Sequence, residues 1–396
     1  MELKKIWLCL LALVLLAGCA PSGDSRPFNE NPADDSANSP LIGIWVSTFE
    51  LQRAYESEAG FSAAFEEMAR NAKNLGANAL FVHVRAYGDS VYPSRYFPKC
   101  RWDPQEDSDL LSGMIQVCHE KGLAFHAWVN PYRISTTESN RDAAIPNDSA
   151  LSQLPDRAYC SDGKGLYLNP SDPAVRRLIL SGIRELLTYD IDGIHYDDYF
   201  YPTADESFDA DSYEEYCRQT AVPLNRADWR RAGVNLLISG THSAVRACGK
   251  PVVFSVSPAA DLRRNREELY ADASFWCREG LVDLIIPQLY FGFDYPNEAF
   301  CFDRLCLDWI KATQNTPVRL CVGLAPYKLG IAEGPDAAEW QTGKDVVEKQ
   351  LRYLKNRPEI TGAVFFSYSS LFSEDELHQK QRQAIEKQIS KGENSL

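Results

Sequence analysis

The chain is predicted to fold as a (β/α)8 TIM barrel with long βα loops, and three observations carry that expectation. Between residues 41 and 390, eight β-favouring runs alternate with helix-periodic runs at near-regular spacing, the pattern of βα units closing on a parallel sheet. The turn after the first run, Val46-Ser47-Thr48-Phe49, contains no glycine, so the phosphate-binding turn of the main alternative, an open doubly wound sheet, is missing. The ends of the runs are rich in polar and aromatic residues, as expected where a barrel assembles its site from the C-terminal ends of its strands.

The elements follow in order. The first strand is expected over Leu41 to Glu50. Phe61, Phe65, Met68, Ala69, Ala72 and Leu75 then recur at helical spacing up to Gly76, a C-terminal stop. The second strand runs from Asn78 to Ala86 and opens into a long loop to Asp107. A helix over Leu110 to Lys121 ends at Gly122, and the third strand spans Leu123 to Asn130. A second long loop covers roughly 134 to 170. Asp172 is placed to cap a helix over Pro173 to Thr188. The fourth strand lies in Ile191 to Pro202. After it comes an acidic excursion over 203 to 227, for which no calcium-loop spacing is present and a solvated loop is expected. The remaining strands are Pro251 to Pro258, Val282 to Tyr290, Val318 to Leu324 and Ile360 to Tyr368. Helices are expected over Trp229 to Cys248, Glu267 to Glu279, Phe300 to Thr313, Lys344 to Lys355 and Glu374 to Ile389. Residues 41–390 therefore form one barrel domain, and 391–396 a tail.

The N-terminus lies outside the barrel. Lys4 and Lys5 precede an apolar run too short to favour spanning a bilayer, followed by Leu16-Ala17-Gly18-Cys19. This resembles a bacterial lipoprotein signal, which implies removal of residues 1–18, acylation of Cys19 and a membrane anchor. Ala20 follows, without the aspartate that holds such proteins at an inner membrane, so outer-membrane delivery is expected in a Gram-negative cell. Residues 19–40 are rich in Ser, Pro, Asn and Asp and read as a flexible tether. The expected location is the cell envelope, outside the cytoplasm. The formal charge of −14 disfavours nucleic acid as a partner. No C-x-x-C or H-x-H pair occurs, and neither a metal nor another cofactor is predicted. The nine cysteines beyond Cys19 leave some disulfides open.

The fourth strand is the focus of the chemistry. With side chains alternating across a strand, Gly193, His195, Asp197 and Tyr199 share one face, and Ile194, Tyr196 and Asp198 the other. Asp197 then faces the barrel mouth, while Asp198 turns toward a neighbouring element. Glycoside hydrolysis needs two carboxyl groups flanking the scissile bond. Adjacent residues on a strand point apart, so the partner of Asp197 is sought at another strand end. Asp89 is that choice, with Asp198 the third catalytic candidate and Glu50, Asp261 and Asp294 in reserve. Asp89 beside Gly88 and Ser90 reads equally as a turn cap. Substrate-binding candidates are His83, Arg85, His126, Trp128, Asn130, Tyr132, Arg133, His195, Tyr199, Gln288, Tyr290 and Tyr327. Aromatic faces stack on sugar rings while amides, guanidinium and carboxylates bond hydroxyls.

The motifs Gly43-Ile44-Trp45-Val46, Phe81-Val82-His83-Val84-Arg85, Gly88-Asp89-Ser90-Val91-Tyr92-Pro93-Ser94, His126 to Arg133, Asp192 to Pro202, Ser255-Val256-Ser257-Pro258, Pro287-Gln288-Leu289-Tyr290 and Phe366-Ser367-Tyr368 stand in order along the chain. Together they resemble the glycosyl-hydrolase-like family 10. The resemblance implies a TIM barrel in the bacterial envelope and a polysaccharide substrate, with peptidoglycan glycan stripped of stem peptides as the example in some members. His83 stands where glutamine is expected, and Phe291 where tryptophan often follows Pro-Gln-x-Tyr. A chitinase-type Asp-Gly-x-Asp-x-Asp-x-Glu pattern fails, because Tyr199 occupies the position of its catalytic acid. Two further readings remain: a carbohydrate-binding barrel without turnover, and a metal-dependent polysaccharide deacetylase using His83, His126 and His195.

Overall fold

The computed structural model describes residues 39–390 apart from Glu106, Asp148, Ala332, Gly343 and Lys344. The expected signal peptide, Cys19, nearly all of the tether and the 391–396 tail lie outside the described residues. Eight parallel strands close into a barrel: β1 (Leu41–Val46), β2 (Ala79–Arg85), β3 (Ala124–Val129), β4 (Gly193–Tyr196), β5 (Val253–Val256), β6 (Leu284–Ile285), β7 (Arg319–Leu324) and β8 (Ile360–Phe365). Each strand pairs with its neighbours in sequence, and β1 pairs with β8 in the register Gly43 to Val364 to close the ring. The doubly wound alternative is thereby excluded.

The helices form where periodicity and caps agree. The first, α1 (Thr48–Tyr55), occupies what the sequence suggested was the end of the first strand. Its cause is a Ser-x-x-Glu capping box: the Ser47 N–H donates to Glu50 Oε2, while the Ser47 side chain caps the helix. Helix α2 (Phe61–Leu75) buries Phe65, Ala69, Ala72 and Leu75, and stops at Gly76 with φ 94°. The rest of the outer layer comprises α3 (Leu110–Glu120), α4 (Pro173–Leu186), α5 (Arg226–Ala247), α6 (Ala273–Arg278), α7 (Phe302–Thr313), α8 (Val346–Leu354) and α9 (Glu376–Ser390). Asp172 caps α4 by accepting from Ala174 N at 2.6 Å.

Other departures from expectation have local causes. The helix expected over Glu267 to Glu279 is split into Leu262–Glu267 and α6, with Tyr270 between them at φ 53°. The 134–170 loop contributes to a small antiparallel sheet of Arg133–Ser135, Leu166–Leu168 and Tyr159–Ser161. The acidic excursion is not a solvated loop throughout. It contains a helix over Ala210–Gln219, and Asp209 is buried against Arg230 at 2.7 Å with neither side chain exposed. All nine described cysteines are unpaired.

The barrel interior is packed. Trp45, Phe81, Trp128, Leu284, Ile286, Cys321 and Val364 form its apolar centre. His126 stacks on Phe81 with ring centroids 4.4 Å apart. Gly193 is required beneath it: a Cβ there would lie 2.1 Å from His126 Nδ1. Glycine at this position lets β3 carry an imidazole across the barrel.

Candidate active site

At the C-terminal ends of the strands lies a cleft of about 320 Å³. Trp45, His83, Trp128, Asp197, Gln288 and Tyr290 all line it, contributed by five strands or the residues just beyond them. Phe49, Tyr199 and Tyr327 also line it, with 61, 51 and 38% exposure. No other aromatic ring among the described residues is as exposed. Exposed rings concentrated around one concave site are the arrangement a carbohydrate uses. Two larger cavities adjoin it. One shares Asp198, Gln288, Tyr290 and Tyr327 with the cleft, and the other shares Thr48, Phe49 and Tyr87.

Asp197 sits just past the end of β4, at 3% exposure. Its Oδ2 accepts from Trp128 Nε1 at 3.0 Å, both its oxygens accept from Asn130 Nδ2 at 3.2 and 3.3 Å, and Oδ1 also accepts from Tyr199 N at 3.3 Å. Burial dominates these donors and lifts its pKa to about 6, with Asp198 adding to the rise and Arg133 opposing it. Asp197 is thus a carboxyl group that carries a proton in mildly acid solution and can release it close to neutrality.

Asp198 lines the same cleft. Strand alternation predicts that Asp198 turns away from Asp197, but β4 ends at Tyr196, so alternation applies to neither acid. Asp198 Oδ1 accepts from Gln288 Nε2 at 3.0 Å, and the same amide donates to Ser257 O at 3.1 Å. Burial raises the Asp198 pKa, and the Gln288 bond opposes the rise.

Asp89 is not brought to Asp197. It caps its own turn, Oδ1 accepting from Tyr87 N at 2.9 Å and Ala86 N at 3.2 Å, and it lines the adjoining cavity rather than the cleft. The reserve acids are similarly engaged. Glu50 is buried and accepts from Ser367 Oγ at 2.7 Å and from Ser47 N and Ser369 N. Asp261 caps a short helix by accepting from Arg263 N at 2.7 Å. Asp294 is exposed and does not line the cleft.

The substrate-binding candidates divide into two groups. His83, Trp128, Arg133, Tyr199, Gln288, Tyr290 and Tyr327 line the cleft. His83 stacks flat on Trp128, centroids 3.8 Å apart at 4°, and neither ring nitrogen has a hydrogen-bond partner among the described residues. Burial, Arg133 and His195 hold this imidazole neutral. The Arg133 guanidinium lies 4.2 Å over the Tyr199 ring and 5.0 Å from that of Tyr87. Burial raises the pKa of Tyr199, Tyr290 and Tyr327, so these phenols stay protonated.

The second group does not reach the cleft. Arg85 was expected inside the barrel. A register shift in β2 between His83 and Arg85 breaks the alternation, and Arg85 packs 3.3 Å over the Phe97 ring, beneath Gly182 of α4. Tyr132 is buried among the apolar residues of the main core. His126 lies in the barrel interior, where burial lowers its pKa to about 4. His195 is a buried support: Trp45 Nε1 donates to its Nε2 at 3.1 Å, and its Nδ1 meets Ser255 Oγ at 2.8 Å. With Nε2 accepting, the neutral ring carries its proton on Nδ1. Asn130 is fully buried and acts through Asp197, while its own Oδ1 accepts from Arg133 N at 3.1 Å. Among the described residues, no group of three His, Cys, Asp or Glu side chains could hold a metal ion.

Residues not among the substrate-binding candidates also line the cleft: Trp45, Phe49, Tyr87, Ser257 and Phe366, of which Trp45, Ser257 and Phe366 fall within the family-like motifs. The parity of β1, which puts Trp45 on the face of Ser47, was an available signal for the first.

Comparison with known proteins agrees with this architecture. Residues 40–342 match the family described as Glycosyl hydrolase-like 10. The chain is 31% identical over 380 residues to Glycosyl hydrolase YngK of Bacillus subtilis (strain 168), covering 88% of this chain and 71% of that protein. It is 30% identical over 413 residues to Glycosyl hydrolase DigH of Escherichia coli (strain K12), covering 92% and 89%. Among solved structures, the PgaB (BpsB) glycoside hydrolase domain from Bordetella bronchiseptica superposes with a TM-score of 0.58 at 13% identity, covering 88% of this chain and 99% of that one. The catalytic domain of β-amylase from Paenibacillus polymyxa gives 0.55 at 10% identity, covering 89% and 99%. At such identities these two superpositions establish the fold alone.

Proposed function

The chain belongs to the glycosyl hydrolase-like 10 family and is a glycoside hydrolase, and from that premise we propose that it cleaves the glycan of a bacterial envelope, with peptidoglycan strands stripped of their peptides as substrate. Asp197 acts as the proton donor to the leaving oxygen, and Asp198 is the second acid. One observation carries the reading: a cleft lined by the exposed rings of Phe49, Tyr199 and Tyr327 encloses a buried carboxyl group whose pKa is about 6. A donor of that pKa is largely protonated in mildly acid solution and transfers its proton readily. Rings such as Phe49 and Tyr327 offer faces for the apolar sides of sugars, and the adjoining cavities give a chain room on either side of the cut. Arg133 at the rim suits a sugar bearing a carboxylate. The Leu16-Ala17-Gly18-Cys19 motif supports lipid anchoring at Cys19, with the barrel held outside the cytoplasm.

The test incubates the purified barrel, with and without chelator, with denuded peptidoglycan and with chitin, and identifies products by mass. Glycan fragments with new reducing ends, insensitive to chelator, are expected. Acetate release without chain cleavage would identify a deacetylase instead, and binding without any product would identify a carbohydrate-binding barrel.

A further inference from the structure

Resting on the glycosidase reading above, we propose that cleavage is assisted by the substrate itself: the 2-acetamido group of the sugar on the non-reducing side of the cut acts as the nucleophile, Asp197 protonates the leaving oxygen and Asp198 holds the acetamido N–H. The inference starts from the distribution of acids. Among the described residues lining the cleft, Asp197 and Asp198 are the only carboxylic acids, and both come from the end of β4. The other strand ends supply aromatic rings, hydroxyls, an imidazole, a guanidinium and an amide.

Direct displacement by two carboxyl groups needs them to flank the scissile bond. Consecutive Cα atoms lie about 3.8 Å apart, so both acids are carried by one strand end, with Asp197 bonded to Trp128 and Asn130 and Asp198 to Gln288. Acids outside the cleft are engaged elsewhere: Asp89 caps its own turn, Glu50 is held by Ser47, Ser367 and Ser369, and Asp261 caps a helix, while Glu333 is exposed and lines the adjoining cavity rather than the cleft. Asp336 in the adjoining cavity is bound by Lys328 Nζ at 2.8 Å and by Trp340 Nε1 at 2.8 Å. Tyrosine nucleophiles, which replace the carboxylate in some glycosidases, are disfavoured at Tyr199, Tyr290 and Tyr327, whose raised pKa values keep the phenols protonated. Two acids from one strand end, with no other acid lining the cleft among the described residues, instead match a reaction in which the nucleophile arrives with the substrate.

The step balances. The acetamido carbonyl oxygen bonds to C1 as the C1–O bond to the leaving sugar breaks. The electron pair stays on the leaving oxygen, which takes the Asp197 proton. Asp198 accepts the acetamido N–H proton as the five-membered ring forms. Water then attacks C1 and yields a proton to Asp197, while the ring opens and nitrogen regains its proton from Asp198. Two displacements at C1 retain the anomeric configuration. Gln288, donating to Asp198 at 3.0 Å, fixes the carboxylate that receives the N–H.

The experiment compares fully N-acetylated chitin oligomers and denuded peptidoglycan strands with partly de-N-acetylated preparations of each, using the wild-type barrel and identifying each new reducing end by mass. Every new reducing end should bear an acetamido group. A sugar-fused 2-methylthiazoline, which mimics the cyclised intermediate, should inhibit the wild type and bind Asp198→Asn far more weakly. Asp198→Asn should lose on the order of 10²–10⁴ in kcat with little change in KM. New reducing ends bearing free amines at comparable rates, or a covalent sugar adduct on the protein, would overturn the mechanism while leaving the glycosidase reading intact. If neither polymer is cut in any form, the glycosidase reading fails and the mechanism with it.

Discussion

Replacing Trp128 by Phe should move the alkaline limb of the pH–rate profile upward. Asp197 must carry its proton to act as the donor, so kcat/KM should fall as pH rises through its pKa of about 6. The Trp128 indole N–H is its shortest hydrogen-bond donor, at 3.0 Å, and it stabilises the ionised form. A bond to a charged group contributes about 1.5–3 kcal/mol, and 1.36 kcal/mol corresponds to one pKa unit. Asn130 and the Tyr199 N–H remain at 3.2 to 3.3 Å and take over part of the loss. The rise should therefore be about one unit, at the low end of that range. Phenylalanine preserves a ring beneath His83, which stacks on Trp128. The assay is the pH dependence of kcat/KM for release of reducing ends, which reports the free enzyme. An alkaline limb that stays in place, or moves down, would refute the assignment of Asp197 as the donor.

Asp197→Asn should stabilise the fold at neutral pH while abolishing turnover. Its folded pKa is raised from 3.8 to about 6, so the folded protein binds the proton more tightly and stability falls as pH rises through that window. The deficit is complete above about pH 6 and, at 1.36 kcal/mol per unit, amounts to about 3 kcal/mol. Denaturant melts should show the variant's advantage at pH 7 and little near pH 4; no pH dependence in the difference would count against the raised pKa. Gly193→Ala should cost about 1–3 kcal/mol through overpacking, since its Cβ would lie 2.1 Å from His126 Nδ1. Adding His126→Ala should recover much of that loss, and a fully stable single variant would contradict the packing described. Asp89→Ala should keep kcat within a few-fold of wild type and lose about 1 kcal/mol of stability from its turn; a collapse of kcat would make Asp89 the second acid after all.

The barrel was legible because its signals are redundant. Each strand is an apolar run, and helices such as Phe61–Leu75 carry both period and stop. The site was legible only in part, because strand alternation holds only while pairing is regular. It failed at Arg85, where one register shift turned a guanidinium out of the barrel. It failed again past Tyr196, where β4 ends and both acids come to one cleft. His126 and His195 did point inward, but inward includes the packed interior below the mouth, and depth along a strand is not written in a residue pattern. Ser47-Thr48-Phe49-Glu50 was misread as strand, although its capping box is visible in the sequence. Tyr132 and the 134–170 segment depend on a small sheet whose strands are three residues each, too short for periodicity to reveal.

The most direct test of the central claim is the rate at which reducing ends appear when denuded peptidoglycan strands meet the wild type and Asp197→Ala, compared at pH 6. The wild type should cut the strands, and the variant should bind them with turnover reduced on the order of 10²–10⁴. A variant that cuts as fast as the wild type would contradict the role given to Asp197.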